Sequence, residues 1–161
     1  MGIEIRISKK EEFQQLEQIE AASFDVNAKY FENGQLPPLP EEDKDAYSFK
    51  AMWDDENTEV LTILIDGEIA GGAAVKDISA DQKEIVLFFL SPNIQGKSYG
   101  QKALKMIEES YPAVKIWRLV TPTQVIRNAV FYVNKCGYSI VYVSEWDKEK
   151  ECGMFVFEKK L

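Results

Sequence analysis

The chain has 161 residues, 45% of them hydrophobic and 29% charged, a size and composition that predict one soluble domain, residues 1–161, with one core, rather than a disordered tail. Its formal net charge of −8 argues against a nucleic-acid partner, which needs a basic face to neutralise phosphates. It contains no histidine, so no Ser-His-Asp triad can be built from it. No apolar run is long enough to span a bilayer, and the first ten residues, "MGIEIRISKK", lack the apolar segment of a secretory signal. Cys136 and Cys152 have no metal or redox spacing. The expectation is a cytoplasmic protein, with reduced cysteines and no membrane attachment.

In chain order, "IEIRI" alternates and predicts a first strand. Ser8 and Glu11 fit an S-x-x-E capping box, and Phe13, Leu16, Ile19 and Ser23 follow at roughly helical spacing. The prolines of "NGQLPPLPEED" predict a loop, and "EEDKDAYSFKAMW" a short second helix. Asp66-Gly67 between two apolar runs predicts a hairpin. "EIVLFFL" is continuously apolar and predicts a central strand covered on both faces, ended by Pro92. In "SYGQKALKMIEES", Tyr99, Ala103, Leu104 and Ile107 share one helical face. "AVKIWRLV" reads as a strand. Thr121, Pro122 and Gln124 read as an N-cap, a first-turn proline and a box partner, predicting a helix over 122–135 that ends at Gly137. "YSIVYVSEW" and "CGMFVFEKK" are the last two strands. This order predicts a mixed sheet with helices on its faces, an α/β or α+β fold.

"GKSYG", residues 96–100, admits two chemistries. It fits the G-x-S-x-G elbow that presents a nucleophilic serine, here Ser98. That serine needs a base, histidine is absent, and Lys97 or Lys102 as a surface lysine is a solvated cation. Alternatively, a loop entering a helix exposes unpaired amides that hold an anion, and Gly96 and Gly100 let a ligand approach the backbone. These five residues are also what a tight strand-to-helix turn needs. "EEDKD" and "DDENTE" lack the spacing of a calcium loop, no metal site is legible, and Trp53, Trp117 and Trp146 read as packing residues.

The longer run "LSPNIQGKSYGQKAL" resembles the acetyl-CoA loop of the GNAT superfamily of N-acetyltransferases, Q/R-x-x-G-x-G/A after a V-x-P strand end. Leu90 and Pro92 stand at the V-x-P positions, Gln95 opens the loop, Gly100 closes it, and Ser98 replaces the middle glycine. "RNAVFYVNKCGY" is similar to the later motif of that family through Asn128, Phe131, Tyr132, Gly137 and Tyr138. In many members the tyrosine lies four positions before the glycine; Val133 holds that place here, and Tyr132 is one position earlier, about 100° around an ideal helix.

The resemblance implies a mixed central sheet whose middle strands splay, with helices on both faces and acetyl-CoA lying in the V between "EIVLFFL" and "AVKIWRLV". It implies a cofactor-binding loop of Gln95, Gly96, Lys97, Ser98, Tyr99 and Gly100, in which the diphosphate takes main-chain amides from Gly96 to Gly100. Asn128 would bond the pantetheine arm, and the Leu90 amide would polarise the thioester carbonyl. It implies an amine acceptor. An alkylamine of pKa about 10.4 is neutral about once in 2,500 molecules at pH 7, so deprotonation costs roughly 4–5 kcal/mol without help. Glu84, eleven positions before Gln95 as the base is in the protein-lysine branch, is the expected base, directly or through water. Tyr132 is the expected proton donor to the leaving thiolate. The expected acceptor is a small-molecule primary amine in a pocket rimmed by Tyr30, Phe31 and the acids from Glu41 to Asp45. A protein lysine or amino terminus is the alternative, as is a non-catalytic acyl-CoA sensor. The expected state is monomer or homodimer.

Overall fold

The computed structural model of the chain describes residues 2–31, 48–145, 148 and 153–161. Seven strands are laid down in chain order: β1 (Ile3–Ile7), β2 (Thr58–Ile65), β3 (Glu68–Ser79), β4 (Gln82–Leu90), β5 (Ile116–Pro122), β6 (Ser139–Val143) and β7 (Met154–Lys160). They form one mixed sheet in the order β1-β2-β3-β4-β5-β7-β6. Every neighbouring pair is antiparallel except β4 and β5, which run parallel. The β2–β3 hairpin turns on Asp66 and Gly67, at φ 53° and 86°, the left-handed pair that a two-residue turn of matching twist requires.

Two helical layers cover the sheet. α1 (Phe13–Asp25) and α2 (Phe49–Asp54) lie on one face, where Leu16, Phe49 and Met52 pack with Val60, Ala74 and Phe89. α3 (Tyr99–Glu109) and α4 (Ile126–Ala129, continued by a wide π turn over Val130–Lys135) contribute to the other face. There Leu104, Ile107, Tyr132 and Tyr138 pack with Ile85, Trp117, Leu119 and Phe157. Each aliphatic side chain so removed from water contributes about 1.5–3 kcal/mol. The continuous apolar run of β4 follows from this arrangement: Ile85 and Phe88 serve the α3 layer, Leu87 and Phe89 the α1 layer. Glu108 of α3 is buried and accepts hydrogen bonds from Tyr138 Oη and Lys159 Nζ, both at 2.8 Å, which ties α3 to the chain's end.

Two local expectations are corrected. Ser8 does not cap α1; it is buried, and its hydroxyl bonds the Thr62 hydroxyl at 2.7 Å. The entry to α1 is held instead by Glu12, whose carboxylate accepts from the Lys9 amide at 2.7 Å and from Arg6 at 2.8 Å. Nor does a helix begin at Pro122. β5 runs through that residue, with Thr121 opposite Phe155 and Pro122 opposite Met154, and helical turns start at Ile126. Cross-strand pairing with β7 outweighs the local capping signal. The helix predicted over 41–53 is described only from Phe49, with Ser48 accepting from the Ala51 amide at 3.1 Å. Glu41 to Asp45, Trp146 and Cys152 lie outside the described residues. Among the described residues no helix is long and apolar enough to cross a membrane.

Candidate active-site cleft

The cleft originates in a divergence of strands. β4 and β5 pair only at Gln82 with Ile116, Lys83 with Trp117 and Glu84 with Arg118. Beyond that point β5 continues along β7 and β4 continues along β3 as far as Leu90, so the two parallel strands part. A local cause sits on β4. Leu87 opposes Ala74 and Ile85 opposes Val75, leaving Val86 as an extra residue, and such a bulge bends its strand. The Ser91 amide donates to the Ala70 carbonyl at 2.8 Å. In an antiparallel ladder only alternate residues bond a given neighbour, so Phe89 and Ser91 serve β3. Phe88 and Leu90 therefore turn their N–H and C=O groups away from β3, into the gap that β5 has vacated.

A cavity occupies the mouth of this gap. Ser23 and Phe24 line it from α1, Asn27 from the turn after that helix, Phe88 to Leu90 from β4, and Gln95, Gly96 and Ser98 from the following loop. Gly100 and Gln101 open α3 there, and Arg127, Asn128, Phe131, Tyr132 and Lys135 close it from α4. In a chain of net charge −8, two cations and no aspartate or glutamate stand among the described lining residues. This wall suits an anionic guest.

The loop presents backbone to that guest. Gly96 and Ser98 both take positive φ, 79° and 67°, and α3 begins at Tyr99, so its first amides have no intrahelical acceptor. The Ser98 side chain makes no capping bond. The left-handed backbone explains why a glycine is the easier residue at this position; serine there costs about 1 kcal/mol. A Cβ on Gly100 would lie 3.2 Å from the Phe131 ring and 3.5 Å from Leu90, so the missing side chain lets α3 close on α4 and the strand end. Lys97 is exposed and Tyr99 is buried beside Ile63, Leu90 and Ala103; neither side chain lines the cavity. Among the described residues no side chain hydrogen-bonds the Ser98 hydroxyl, and Lys97 and Lys102 are both exposed, so the arrangement offers Ser98 no base.

Tyr132 reaches the cavity through an irregular helix. The Cys136 amide donates to the Phe131 carbonyl at 3.2 Å, a bond five residues back where an α-helix bonds four. This wide turn absorbs one extra residue. Tyr132 therefore faces inward, against Phe131, Tyr138 and Phe157, while Val133 is 37% exposed. Burial holds the Tyr132 hydroxyl far above the ordinary tyrosine pKa, so it keeps its proton at neutral pH.

Glu84 stands apart. It lies at the closed end of the gap, half-buried, with Oε1 3.8 Å from Arg118 Nε, and it does not line the cavity. Phe88 is four residues further along, roughly 13 Å at about 3.3 Å per residue. Tyr30 and Phe31 cluster with Val125 and Met154, outside the cavity wall.

A cross-link missing from the sequence reading joins three elements at the cavity. Gln95 Nε2 donates to the Leu90 carbonyl at 2.9 Å and to Ser23 Oγ at 3.3 Å, while Gln95 Oε1 accepts from Arg127. Sequence reasoning also missed Phe88, Ser23, Asn27, Gln101 and Lys135. Phe88 was within reach, because residues two apart on a strand direct their backbone groups the same way. Arg127 and Gln95 are 32 residues apart and carry no local signal.

Residues 14–138 match the acetyltransferase (GNAT) family. The uncharacterized protein YrkN of Bacillus subtilis (strain 168) is 38% identical over 105 residues, 65% of this chain and 55% of that protein, so the chain spans about half the length of this curated relative. The PaiA N-acetyltransferase from Thermoplasma acidophilum, solved in complex with coenzyme A, aligns with a TM-score of 0.74 at 20% identity over 100% of both chains. An acetyltransferase from Thermus thermophilus aligns at 0.76 and 15% identity, over 100% of this chain and 98% of that one. The spermidine N-acetyltransferase from Vibrio cholerae, in complex with CoA and spermine, aligns at 0.71 and 10% identity, over 98% and 95%. At these identities the likeness is one of fold.

Proposed function

The chain belongs to the acetyltransferase (GNAT) family, and from that premise we propose that it moves an acetyl group from acetyl-CoA to the primary amine of a small molecule. The observation that carries this reading is the cavity wall: exposed loop amides, Arg127 and Lys135, and no acid among the described lining residues, at the mouth of a gap edged by unpaired strand backbone. These residues fit an anionic thioester. Acetyl-CoA, when bound, supplies an acetyl carbonyl whose carbon accepts the amine nitrogen as the C–S bond breaks.

The chain's own groups do the rest. The amides from Gly96 to Gly100 receive the diphosphate. Asn128 bonds the pantetheine arm. The Leu90 amide, or the equivalent amide of Phe88, donates to the carbonyl oxygen as charge develops there. Tyr132, protonated at neutral pH and lining the cavity, gives its proton to the departing sulfur. Glu84 takes the proton lost by the amine; at its distance from Phe88 that transfer runs through water. Holding amine and thioester together contributes around 7–11 kcal/mol, more than either proton transfer.

The test is thiol release from acetyl-CoA over a panel of polyamines, amino acids, aryl amines and lysine peptides, together with melting in the presence of CoA. The reading predicts a higher melting temperature with CoA and amine-dependent thiol release. At a hundredfold excess over its Kd, CoA adds about 2.7 kcal/mol. Stabilisation without release on any amine would make the protein a binder; no stabilisation would remove the reading.

A further inference from the structure

We propose that Arg127 is a positioning residue: through the Gln95 carboxamide it holds the Leu90 carbonyl, and with it the strand end whose amide faces the gap. A carboxamide has two ends that a protein can exchange by rotation. Here the two neighbours leave no choice. The Leu90 carbonyl only accepts, so it must meet the NH₂ end; the Arg127 guanidinium only donates, so it must meet the oxygen. Arg127 thereby sets which way Gln95 points. The same NH₂ group reaches Ser23 on α1, so one side chain ties α4, α1 and the end of β4 around the cavity. Among the described residues no carboxylate lies within ion-pairing distance of Arg127 to draw it elsewhere.

The consequence reaches the chemistry. Beyond Glu84, β4 has no β5 partner, so its last residues are held by β3 alone on one edge. Gln95 supplies the missing restraint on the other edge, at Leu90. A preorganised donor is worth more in acyl transfer than one that must be ordered during the reaction. The rival role for Arg127 is a direct contact with the diphosphate, since a guanidinium has further donors. The kinetic consequence rests on the acyl-transfer reading above; the clamp does not.

Two arms separate these possibilities. The first uses the protein without ligand. In Arg127→Met, hydrogen exchange of the Gln95 carboxamide and of the Ser91 amide, which bonds the Ala70 carbonyl, is expected to quicken at least fivefold, with the melting temperature nearly unchanged. Gln95→Glu keeps a partner for Arg127 but turns an acceptor on the Leu90 carbonyl, and is expected to quicken exchange at Ser91 likewise. Unchanged exchange in both variants overturns the inference, whatever the activity. The second arm compares acetyl-CoA with S-acetylpantetheine, which lacks the diphosphate. Arg127→Met is expected to lower kcat about tenfold with both donors, with KM for the amine within twofold, and to add less than twofold in a Gln95→Ala background. A loss confined to acetyl-CoA overturns the inference by assigning Arg127 to the phosphates. A wild-type protein that releases thiol from neither donor refutes acyl transfer, and the exchange arm alone then decides the clamp.

Discussion

The two ends of the β4–β5 gap are made from the same pair of strands and behave oppositely. At the closed end, Gln82 to Glu84 find partners on β5, the backbone is satisfied by backbone, and what remains is an ion pair of side chains, Glu84 with Arg118. At the open end, six residues on, Leu90 has lost β5, and its carbonyl is taken by a side chain while its amide faces a cavity. One extra residue, Val86, lies between the two ends. The sheet's own hydrogen bonding is interrupted between them; in the function proposed above, the recognition groups at the open end are main-chain atoms, which survive changes of side chain that leave the backbone path intact.

That contrast can be attacked from either end. The largest effect is expected at Gly71, which opposes Leu90 on β3: an added Cβ would lie 2.2 Å from the Phe89 carbonyl oxygen and 3.0 Å from Leu90 Cα, both backbone. Gly71→Ala should cost about 3 kcal/mol or more, read from the denaturation midpoint, and should loosen the open end. Tyr132→Phe should lower turnover about a hundredfold while CoA affinity stays within twofold, since only the proton is removed. Glu84→Gln should lower turnover about tenfold, also without weakening CoA. A loss at Glu84 as large as that at Tyr132 would bring the closed end into direct contact with the chemistry, and no loss in either variant across pH would remove both assignments.

Smaller effects test the frame around the open end. On α1, one turn before Ser23, Glu20 is raised from 4.5 to about 7 by burial, with Glu17 adding to it. Between those values the folded state keeps a proton the unfolded state has lost, so wild-type stability falls as pH rises through that window. Glu20→Gln should match wild type at pH 4 and exceed it by about 1 kcal/mol at pH 8, a figure discounted for partial exposure. Smallest of all, Ser98→Gly relieves a left-handed residue and should add about half a kcal/mol with CoA affinity equal or tighter.

Much of this frame was legible from local pattern. The apolar run 84–90 identified a strand covered on both faces, Asp66-Gly67 identified the hairpin, and the loop singled out between Gln95 and Gly100 does border the cavity, through Gln95, Gly96, Ser98 and Gly100. What misled were short motifs overruled by distant partners. Ser8 had the right spacing for a cap, but Thr62 was 54 positions away and buried with it. Thr121-Pro122 resembled a helix start, but β7 claimed both residues. The one-residue offset of Tyr132 was visible in sequence; that a π turn would absorb it was not, because the choice between four- and five-residue bonds is made by packing against Tyr138 and Phe157. The Arg127–Gln95 bond had no signature, since neither side chain's environment is local.

The central claim is that the gap mouth and the loop after it receive the donor through main-chain hydrogens. It is tested most directly by titrating the ¹⁵N-labelled protein with CoA and following each amide resonance. The account predicts that the largest shifts fall on Phe88, Leu90 and the amides from Gly96 to Gly100, with Glu84 and its neighbours on β5 moving little. Saturable binding that leaves those amides in place and moves another face of the protein would contradict it.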